Sequence, residues 1–365
     1  MKGNTIKASG IEIIESDGQP PLAALFPVKR GWNVTAATGV GSLPGTSATE
    51  AAAMVAGELP ALPHLVELPD RGVGADMVGR AIAMLVDIYA EVVPSGWRIS
   101  RRPGRDTSRA KDFLSWDLDA AEQHYAGAEW VKVQVCGPWT LAAMLEVPSG
   151  HRALTDPGAI DDLTTSLSEG LAAHITEIAK RIPGAGIVVQ VDEPALPAVL
   201  TGNLPTASGF GMVAAVPTVR VIDVLSRLTA AIGDRPSIAH CCHEAAPLRL
   251  LRASGFDALS VDLTLLGSKA ASLDPIGEAV ETGAILLAGA VPATTPANPR
   301  APLKTWADPI LQMWDRLGFP RQQLTSTVVP TPTCGMAGAS REWALRAMKL
   351  SNELADAIGD LPEGW

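Results

Sequence analysis

Short apolar runs alternate with longer amphipathic segments along most of this chain, a pattern that predicts parallel strands separated by helices. The predicted strands cover residues 33–40, 65–68, 131–136, 186–191, 237–240, 258–262, 284–289 and 324–329. The predicted helices cover residues 49–58, 76–92, 140–146, 160–181, 218–232, 246–254, 276–281, 305–317 and 341–358. About eight strand–helix units favour an α/β fold, a single (β/α)8 TIM barrel. A doubly wound open sheet is the alternative.

Two parts of the chain depart from this alternation. Residues 1–31 are weakly patterned, so we expect a weakly structured lead-in, with room for a short hairpin, before a barrel domain at 32–365. Residues 94–129 form a long polar excursion with some helix near 117–125. Its arginines could face an anionic substrate tail or belong to a solvated loop. They are Arg98, Arg101, Arg102, Arg105 and Arg109.

Composition narrows the class of protein. The chain is 47% hydrophobic and 19% charged, as expected of a globular protein with a large core. A net charge of -10 makes nucleic acid and anionic membranes poor partners. No apolar run is long enough to span a bilayer, and no secretory h-region is evident. Four cysteines, two of them adjacent, form no disulfide framework, so we expect a cytoplasmic protein acting on small molecules.

Soft metal ligands follow three of the predicted strands. One strand ends in His240-Cys241-Cys242-His243, the next closes on Asp262, and Cys334 follows the last. Zinc takes thiolate, imidazole and carboxylate ligands, and parallel barrels place active sites at the carboxyl ends of their strands. We therefore predict a Zn²⁺ site built from His240, Cys242, Asp262 and Cys334, with Cys241 pointing away. The alternative is that these cysteines are small buried hydrophobic residues.

Other strand ends carry candidate substrate contacts. The segment 39–46 lacks the lysine of a Walker loop, so it is a plain turn or a backbone cradle for a carboxylate. Asp192 and Glu193 follow a buried strand and could bind an ammonium group or move a proton, although Asp192 could also cap a helix. Glu67 has the same two interpretations. Trp139 either stacks on a flat ligand or packs in the core.

Six segments carry a family resemblance. They are Gly41-Ser42-Leu43-Pro44, Gly137-Pro138-Trp139-Thr140, Gln190-Val191-Asp192-Glu193-Pro194-Ala195-Leu196, His240-Cys241-Cys242, Asp262, and Pro332-Thr333-Cys334-Gly335. Together, and in this order over roughly residues 33–358, they resemble the C-terminal catalytic barrel of cobalamin-independent methionine synthases. Longer members of that family have an extra N-terminal barrel, so this chain resembles a single-barrel member.

The resemblance implies methionine biosynthesis, in which a zinc-bound homocysteine thiolate attacks the methyl group of 5-methyltetrahydrofolate. By position, the zinc ligands would be His240, Cys242 and Cys334, with Asp262 where the family has a glutamate. The expected substrate-binding residues are Gly41 and Ser42 at the amino acid carboxylate, Asp192 and Glu67 at its ammonium group, and Glu193 and Trp139 nearby.

One departure concerns the methyl donor. The family has an Asp-Ile-His-Ser element after the seventh strand, whose histidine passes a proton to the folate leaving group. The corresponding residues 289–295 contain no histidine. We therefore expect weak turnover with a methylfolate and better turnover with a methylcorrinoid, free or protein-bound. His243 is the nearest alternative acid, and we name it with Asp192 as a candidate catalytic residue.

Three other functions fit the sequence less well. A related zinc barrel could methylate another thiol. A metal-free porphyrinogen decarboxylase-like barrel would need arginines near the first strand, but Lys29 and Arg30 only precede it. A non-catalytic binding barrel is the last alternative. The metal content of the purified protein separates the zinc enzymes from the other two.

Overall fold

A six-stranded parallel sheet forms the centre of the structure. The structure, a computed structural model, describes residues 5–8, 11–14, 36–267 and 269–360. In spatial order the strands are Val328–Pro332, Ile285–Val291, Ala258–Asp262, Ser237–His240, Gly186–Asp192 and Trp130–Cys136. Each strand lies beside its neighbour in the sequence, which is the connectivity of a wound barrel.

Two further parallel segments extend this sheet and close it. Single parallel bridges pair His64 with Lys132 and Ser42 with Glu67. On the other side, Met336 N donates to Ser42 O at 2.7 Å, which links the first segment to the residues that follow the last strand. The strands and bridges together form a (β/α)8 barrel, as the alternating pattern predicts.

Helices cover the outside of the barrel. They are Ala48–Glu58, Met77–Met84, Arg105–His124, Pro138–Met144, Pro157–Arg181, Leu196–Thr201, Thr218–Ile232, Leu248–Ala253, Ala270–Glu281, Leu303–Leu317 and Arg341–Gly359, with 3-10 turns at Pro69–Arg71, Ala153–Thr155 and Arg321–Ser326. Ser47, Asp76 and Ser340 each cap a helix by accepting the backbone N–H three residues on. Within the described residues no helix is long and apolar enough to cross a membrane.

Side chains alternate between the barrel interior and the helical layer. Val188, Ile238 and Leu287 belong to a small apolar cluster made largely of strand residues, whereas Val189 belongs to the large core that includes the helices. Because successive side chains of a strand point to opposite faces, Gln190 and Asp192 continue the interior face that begins at Val188. The interior is therefore apolar at one level and polar towards the carboxyl ends of the strands.

The structure corrects the predictions for residues 76–129. The helix ends at Met84 instead of residue 92, because Asp87 has a φ of 57° that a helix does not accommodate. Tyr89–Val93 and Gly96–Ser100 then form an antiparallel hairpin, and Leu145–Glu146 adds a parallel strand to it. The polar excursion is mostly ordered, since its helix runs over Arg105–His124.

The two ends of the barrel sequence also differ from the prediction. The last strand begins at Val328, because residues 321–326 form a 3-10 turn. In the lead-in, Thr5–Ala8 pairs antiparallel with Ile11–Ile14, a short hairpin of the kind for which the sequence left room. The rest of the lead-in and residues 33–35 of the predicted first strand lie outside the described residues. The domain boundary at residue 32 stays a prediction.

Candidate metal centre

Three soft ligands converge at the carboxyl end of the barrel. His240, Cys242 and Cys334 each offer one ligand atom, and these atoms lie within 4.8 Å of one another. Cys334 Sγ lies 2.9 Å from Cys242 Sγ and 3.9 Å from His240 Nε2. Two strands stand between the strand that carries His240 and the one that precedes Cys334, so the curvature of the barrel brings these ligands together.

The imidazole of His240 is oriented by the neighbouring strand. Its Nδ1 lies 3.0 Å from Ser260 Oγ, and both side chains are buried. This contact leaves Nε2 facing the sulfur atoms. A hydrogen bond on the non-coordinating nitrogen is the usual way a protein fixes a metal-binding histidine. Burial lowers the pKa of His240, but the hydrogen bond to Cys242 and the charge of Asp192 outweigh it and leave the pKa raised.

The two thiols of the cluster differ in acidity. Hydrogen bonds from Cys334 and His240 lower the pKa of Cys242 to about 4, although burial opposes them. The hydrogen bond to Cys242 raises the pKa of Cys334, and burial raises it further. A thiolate is therefore already favoured at Cys242, and metals bind the deprotonated form of cysteine. Cys241 lies in the hydrophobic core, outside the cluster, as strand alternation predicts, and burial raises its pKa to about 12.

Asp262 does not join this cluster. It ends the strand Ala258–Asp262, but its Oδ1 accepts hydrogen bonds from Thr264 N at 2.8 Å and Thr264 Oγ1 at 2.6 Å. The short carboxylate thus turns back onto its own loop, which corrects the prediction of a fourth ligand. Three protein ligands remain, and catalytic zinc sites commonly have three with one position left for a substrate.

Two buried carboxylates belong to the same end of the barrel. Asp192 is the register partner of His240 on the adjacent strand, and Gln190 Nε2 donates to its Oδ1 at 2.7 Å. Burial raises the pKa of Asp192. Glu67 accepts from Gln134 Nε2 at 3.3 Å, and burial raises its pKa to about 7 while the charge of Arg80 opposes that shift. Glu67 also pairs with Arg80 Nε at 3.5 Å, so a cationic substrate group would share this carboxylate with Arg80.

The Gly41-Ser42 segment lies against the loop that carries Cys334. A Cβ atom at Gly335 would overlap Ser42 Oγ, so a larger residue at 335 would force the Ser42 hydroxyl to move. Met336 N also donates to Ser42 O. The structure therefore brings Ser42, Asp192 and the ligand cluster to one end of the barrel, as the sequence predicts.

Glu193 and Trp139 have structural contacts instead of the predicted substrate contacts. Glu193 is buried and accepts from Trp139 N at 3.0 Å, and from Thr140 N and Thr140 Oγ1 at 2.7 Å each. It thus satisfies the free N–H groups at the start of the helix Pro138–Met144. Trp139 is fully buried, and its indole N–H donates to Val221 O at 3.3 Å. Helix capping accounts for Glu193, and core packing accounts for Trp139.

His243 lies near the cluster in sequence but is exposed in a turn, where its Nδ1 accepts from Ala245 N at 3.0 Å. Among the clustered arginines, Arg98 pairs with Glu146 at 2.6 Å. Arg101, Arg102 and Arg105 are exposed, as in a solvated surface. None of these contacts places His243 or these arginines at the metal centre.

Sequence reasoning missed two buried polar residues near the site. Ser260 orients His240, and Lys132 donates to Gln190 Oε1 at 2.7 Å. Both stand on the inner face of strands that are mostly apolar, two residues or more before the strand end. A polar side chain at an alternating position within an apolar strand is the signal that would have found them.

Comparison with known proteins agrees with this arrangement. A family model described as "Cobalamin-independent synthase, Catalytic domain" matches residues 34–357. Among solved structures, a B12-independent methionine synthase from Shewanella sp. W3-18-1, in complex with selenomethionine, is 14% identical with a TM-score of 0.55. The match covers 90% of this chain and 98% of that one, and at this identity it establishes the fold. No curated protein matches the chain.

Proposed function

This chain belongs to the family of cobalamin-independent synthase catalytic domains, and from this membership we propose that it is a zinc-dependent methyltransferase that converts homocysteine to methionine. One observation carries the proposal. His240, Cys242 and Cys334 converge at the carboxyl end of the barrel, with Asp192 on the adjacent strand. Family membership supports a methionine synthase-like enzyme, and the His240, Cys242 and Cys334 cluster is what supports the proposal of a metal and a thiol substrate.

The donor set fits zinc. Two thiols and an imidazole would hold the ion, and Ser260 already orients the imidazole. A free thiol has a pKa of about 8.5 and is mostly protonated at neutral pH. Bound zinc would supply the deprotonation of the substrate thiol at the open coordination position. The protein residues around the cluster would then hold the amino acid part of homocysteine in place.

The amino acid contacts follow from the charges at this end of the barrel. Asp192, with Glu67 beside it, would accept the ammonium group of homocysteine. Gly41 and Ser42 would present backbone N–H groups to its carboxylate. Because the carboxylates are buried, their attraction for an ammonium group is weakened little by solvent. Homocysteine would thus be fixed with its sulfur towards the cysteines.

The methyl transfer itself is a displacement. The substrate sulfur forms a bond to the methyl carbon, and the electron pair of the breaking bond leaves with the donor. A folate nitrogen needs a proton as it leaves, but residues 289–295 contain no acidic side chain. The backbone there is already hydrogen-bonded, since Ala293 N donates to Thr333 Oγ1 and Pro292 O accepts from the Trp343 indole. A corrinoid leaves as its reduced metal and needs no proton. We therefore propose a methylcorrinoid as the better donor, with His243 as the remaining candidate acid for a folate.

The test combines metal analysis with methyl transfer. Purified protein is analysed for zinc and assayed with homocysteine and either methylcobalamin or 5-methyltetrahydrofolate. We expect about one zinc per chain and faster turnover with the corrinoid. Cys242→Ser and Cys334→Ser should lose both zinc and activity, while Cys241→Ser retains them. Homocysteine methylation by protein without zinc would refute the metal proposal, and vigorous folate turnover that survives His243→Ala would refute the donor proposal.

A further inference from the structure

A buried hydrogen-bond network lies inside the barrel beneath the candidate site. We propose that Lys132, acting through Gln190, is a positioning residue that fixes the Gly41-Ser42 segment relative to Asp192 and so makes the enzyme selective for thiols that carry an α-amino acid group. This inference rests on the proposed function, and it names the part of the protein that recognises the amino acid end of the substrate.

The network has four hydrogen bonds and no gap. Lys132 Nζ donates to Val40 O at 3.0 Å and to Gln190 Oε1 at 2.7 Å. Gln190 Nε2 donates to Val40 O at 2.9 Å and to Asp192 Oδ1 at 2.7 Å. The side chains of Lys132 and Gln190 are both fully buried. We call these two side chains the Lys132–Gln190 bracket.

The chemistry of lysine sets the direction of every bond in the bracket. Burial lowers the pKa of Lys132 to about 7. In its ammonium form the side chain can only donate, so the amide oxygen of Gln190 must face it. The amide nitrogen of Gln190 must then face Asp192 and Val40 O. Without Lys132 the amide of Gln190 could turn over and present its oxygen to the Asp192 carboxylate, which would repel it. Lys132 therefore decides the position of the Asp192 carboxylate without touching it.

The same bracket holds the opposite side of the proposed substrate site. Val40 directly precedes Gly41 and Ser42, and its carbonyl accepts both donors of the bracket. Movement of this segment relative to Asp192 would break at least one buried hydrogen bond. The two groups proposed to bind the carboxylate and the ammonium of the substrate are thus held at one separation. Such rigidity favours a ligand that already has both groups at the matching distance.

A purely structural role for Lys132 makes a different prediction. A buried lysine is costly unless its hydrogen bonds are satisfied, and an apolar side chain could fill the same volume. If Lys132 only stabilises the barrel, its replacement should weaken binding of every thiol equally or lower the zinc content. If it positions the amino acid site, only ligands with the amino acid group should be affected. Substrate fragments separate these two cases.

The experiment uses zinc-loaded enzyme and four thiols. L-Homocysteine is compared with three fragments of itself. Propane-1-thiol lacks both charged groups, 4-mercaptobutyrate lacks the ammonium group, and 3-mercaptopropylamine lacks the carboxylate. Binding is measured by calorimetry for the wild type, Lys132→Met and Gln190→Glu. Gln190→Glu keeps an acceptor for Lys132 and removes the donor to Asp192, so it remains informative if Lys132→Met does not fold. Thr331→Val is the matched control, because it replaces a buried hydroxyl that has no hydrogen-bond partner.

We expect both bracket variants to bind homocysteine about 10- to 100-fold more weakly, as for loss of a hydrogen bond to a charged group. Their affinity for propane-1-thiol and their zinc content should stay within about twofold of the wild type. In turnover, the KM for homocysteine should rise with little change in kcat. Variants that retain the wild-type preference for homocysteine over propane-1-thiol, or that lose both ligands equally, would overturn the inference alone. A wild type that shows no such preference would overturn the proposed function as well.

Discussion

Replacing Ser260 with alanine removes the hydrogen bond to Nδ1 of His240, the imidazole nitrogen that faces away from the two cysteines. Ser260 Oγ lies 3.0 Å from Nδ1 of this histidine, and both residues are buried. Alanine preserves the strand and leaves no other described side chain in hydrogen-bond contact with Nδ1. We predict that Ser260→Ala weakens zinc binding while His240, Cys242 and Cys334 all remain present.

The size of the effect follows from the burial of this hydrogen bond. A buried donor left without its acceptor costs about 1–3 kcal/mol. Loss of the group that orients a metal-binding histidine typically lowers metal affinity by about 10- to 100-fold. Since each factor of ten corresponds to about 1.4 kcal/mol, the two ranges agree. We therefore expect the zinc dissociation constant of Ser260→Ala to rise by about one to two orders of magnitude.

Competition with a chromophoric zinc chelator measures this change directly. Ser254→Ala is the matched control, because Ser254 is also buried and its hydroxyl donates to the Leu250 carbonyl at 2.9 Å, away from the cluster. The control should bind zinc as the wild type does, even if both variants lose similar stability. Equal zinc affinity in Ser260→Ala and Ser254→Ala would refute the claim that Ser260 holds His240 for a metal.

Three further predictions test other parts of the account. Burial lowers the pKa of His64 to about 3 and that of His174 to about 4, so between pH 6.5 and about 3 the unfolded chain binds more protons. The buried carboxylates Glu67 and Glu193, whose pKa values burial raises to about 7, oppose this trend, so the test is a difference between variants. As the pH falls below 6.5, chemical denaturation should show the wild type losing stability relative to His64→Gln by up to about 1.4 kcal/mol per pH unit. A Cβ on Gly170 would overlap Met84 O, so Gly170→Ala should cost about 1–3 kcal/mol of stability, whereas Gly57→Ala, which meets no atom within 4 Å, should gain up to about 1 kcal/mol in the same assay. Asp262→Ala should retain zinc affinity within about twofold in the chelator assay, and a tenfold loss would show that this carboxylate ligates the metal.

The alternating pattern predicted the barrel, and the soft ligands at the predicted strand ends included the three that converge. Strands end at His240 and Asp262 as predicted, because these short apolar runs are bounded by polar residues on both sides. Once parallel strands are recognised, their carboxyl ends must meet, and so His240 and Cys334 meet although they are far apart in sequence. The prediction that these ligands meet therefore came from the geometry of parallel barrels and not from the spacing of the residues along the chain.

The wrong site predictions concern side chains with several possible hydrogen-bond partners, among which the sequence alone does not distinguish. Asp262 bonds to the loop two residues on, and Glu193 caps a helix more than fifty residues earlier in the chain. Both are ordinary roles for a carboxylate, and only the folded geometry decides between them and a substrate contact. The hairpin that begins at Tyr89 was missed because its first strand overlaps the predicted helix at 76–92 and its second strand lies in the polar excursion at 94–129. The positive φ of Asp87 is incompatible with a helix that continues through residue 87, so the chain turns into the hairpin there.

The central claim is that homocysteine binds through its sulfur to a metal held by His240, Cys242 and Cys334. X-ray absorption at the zinc edge of the zinc-loaded enzyme, recorded with and without homocysteine, counts the sulfur atoms bound to the metal. The two cysteines should give two sulfur ligands in the free enzyme, and homocysteine should raise the count to three. A sulfur count that does not change in enzyme saturated with homocysteine would contradict the account.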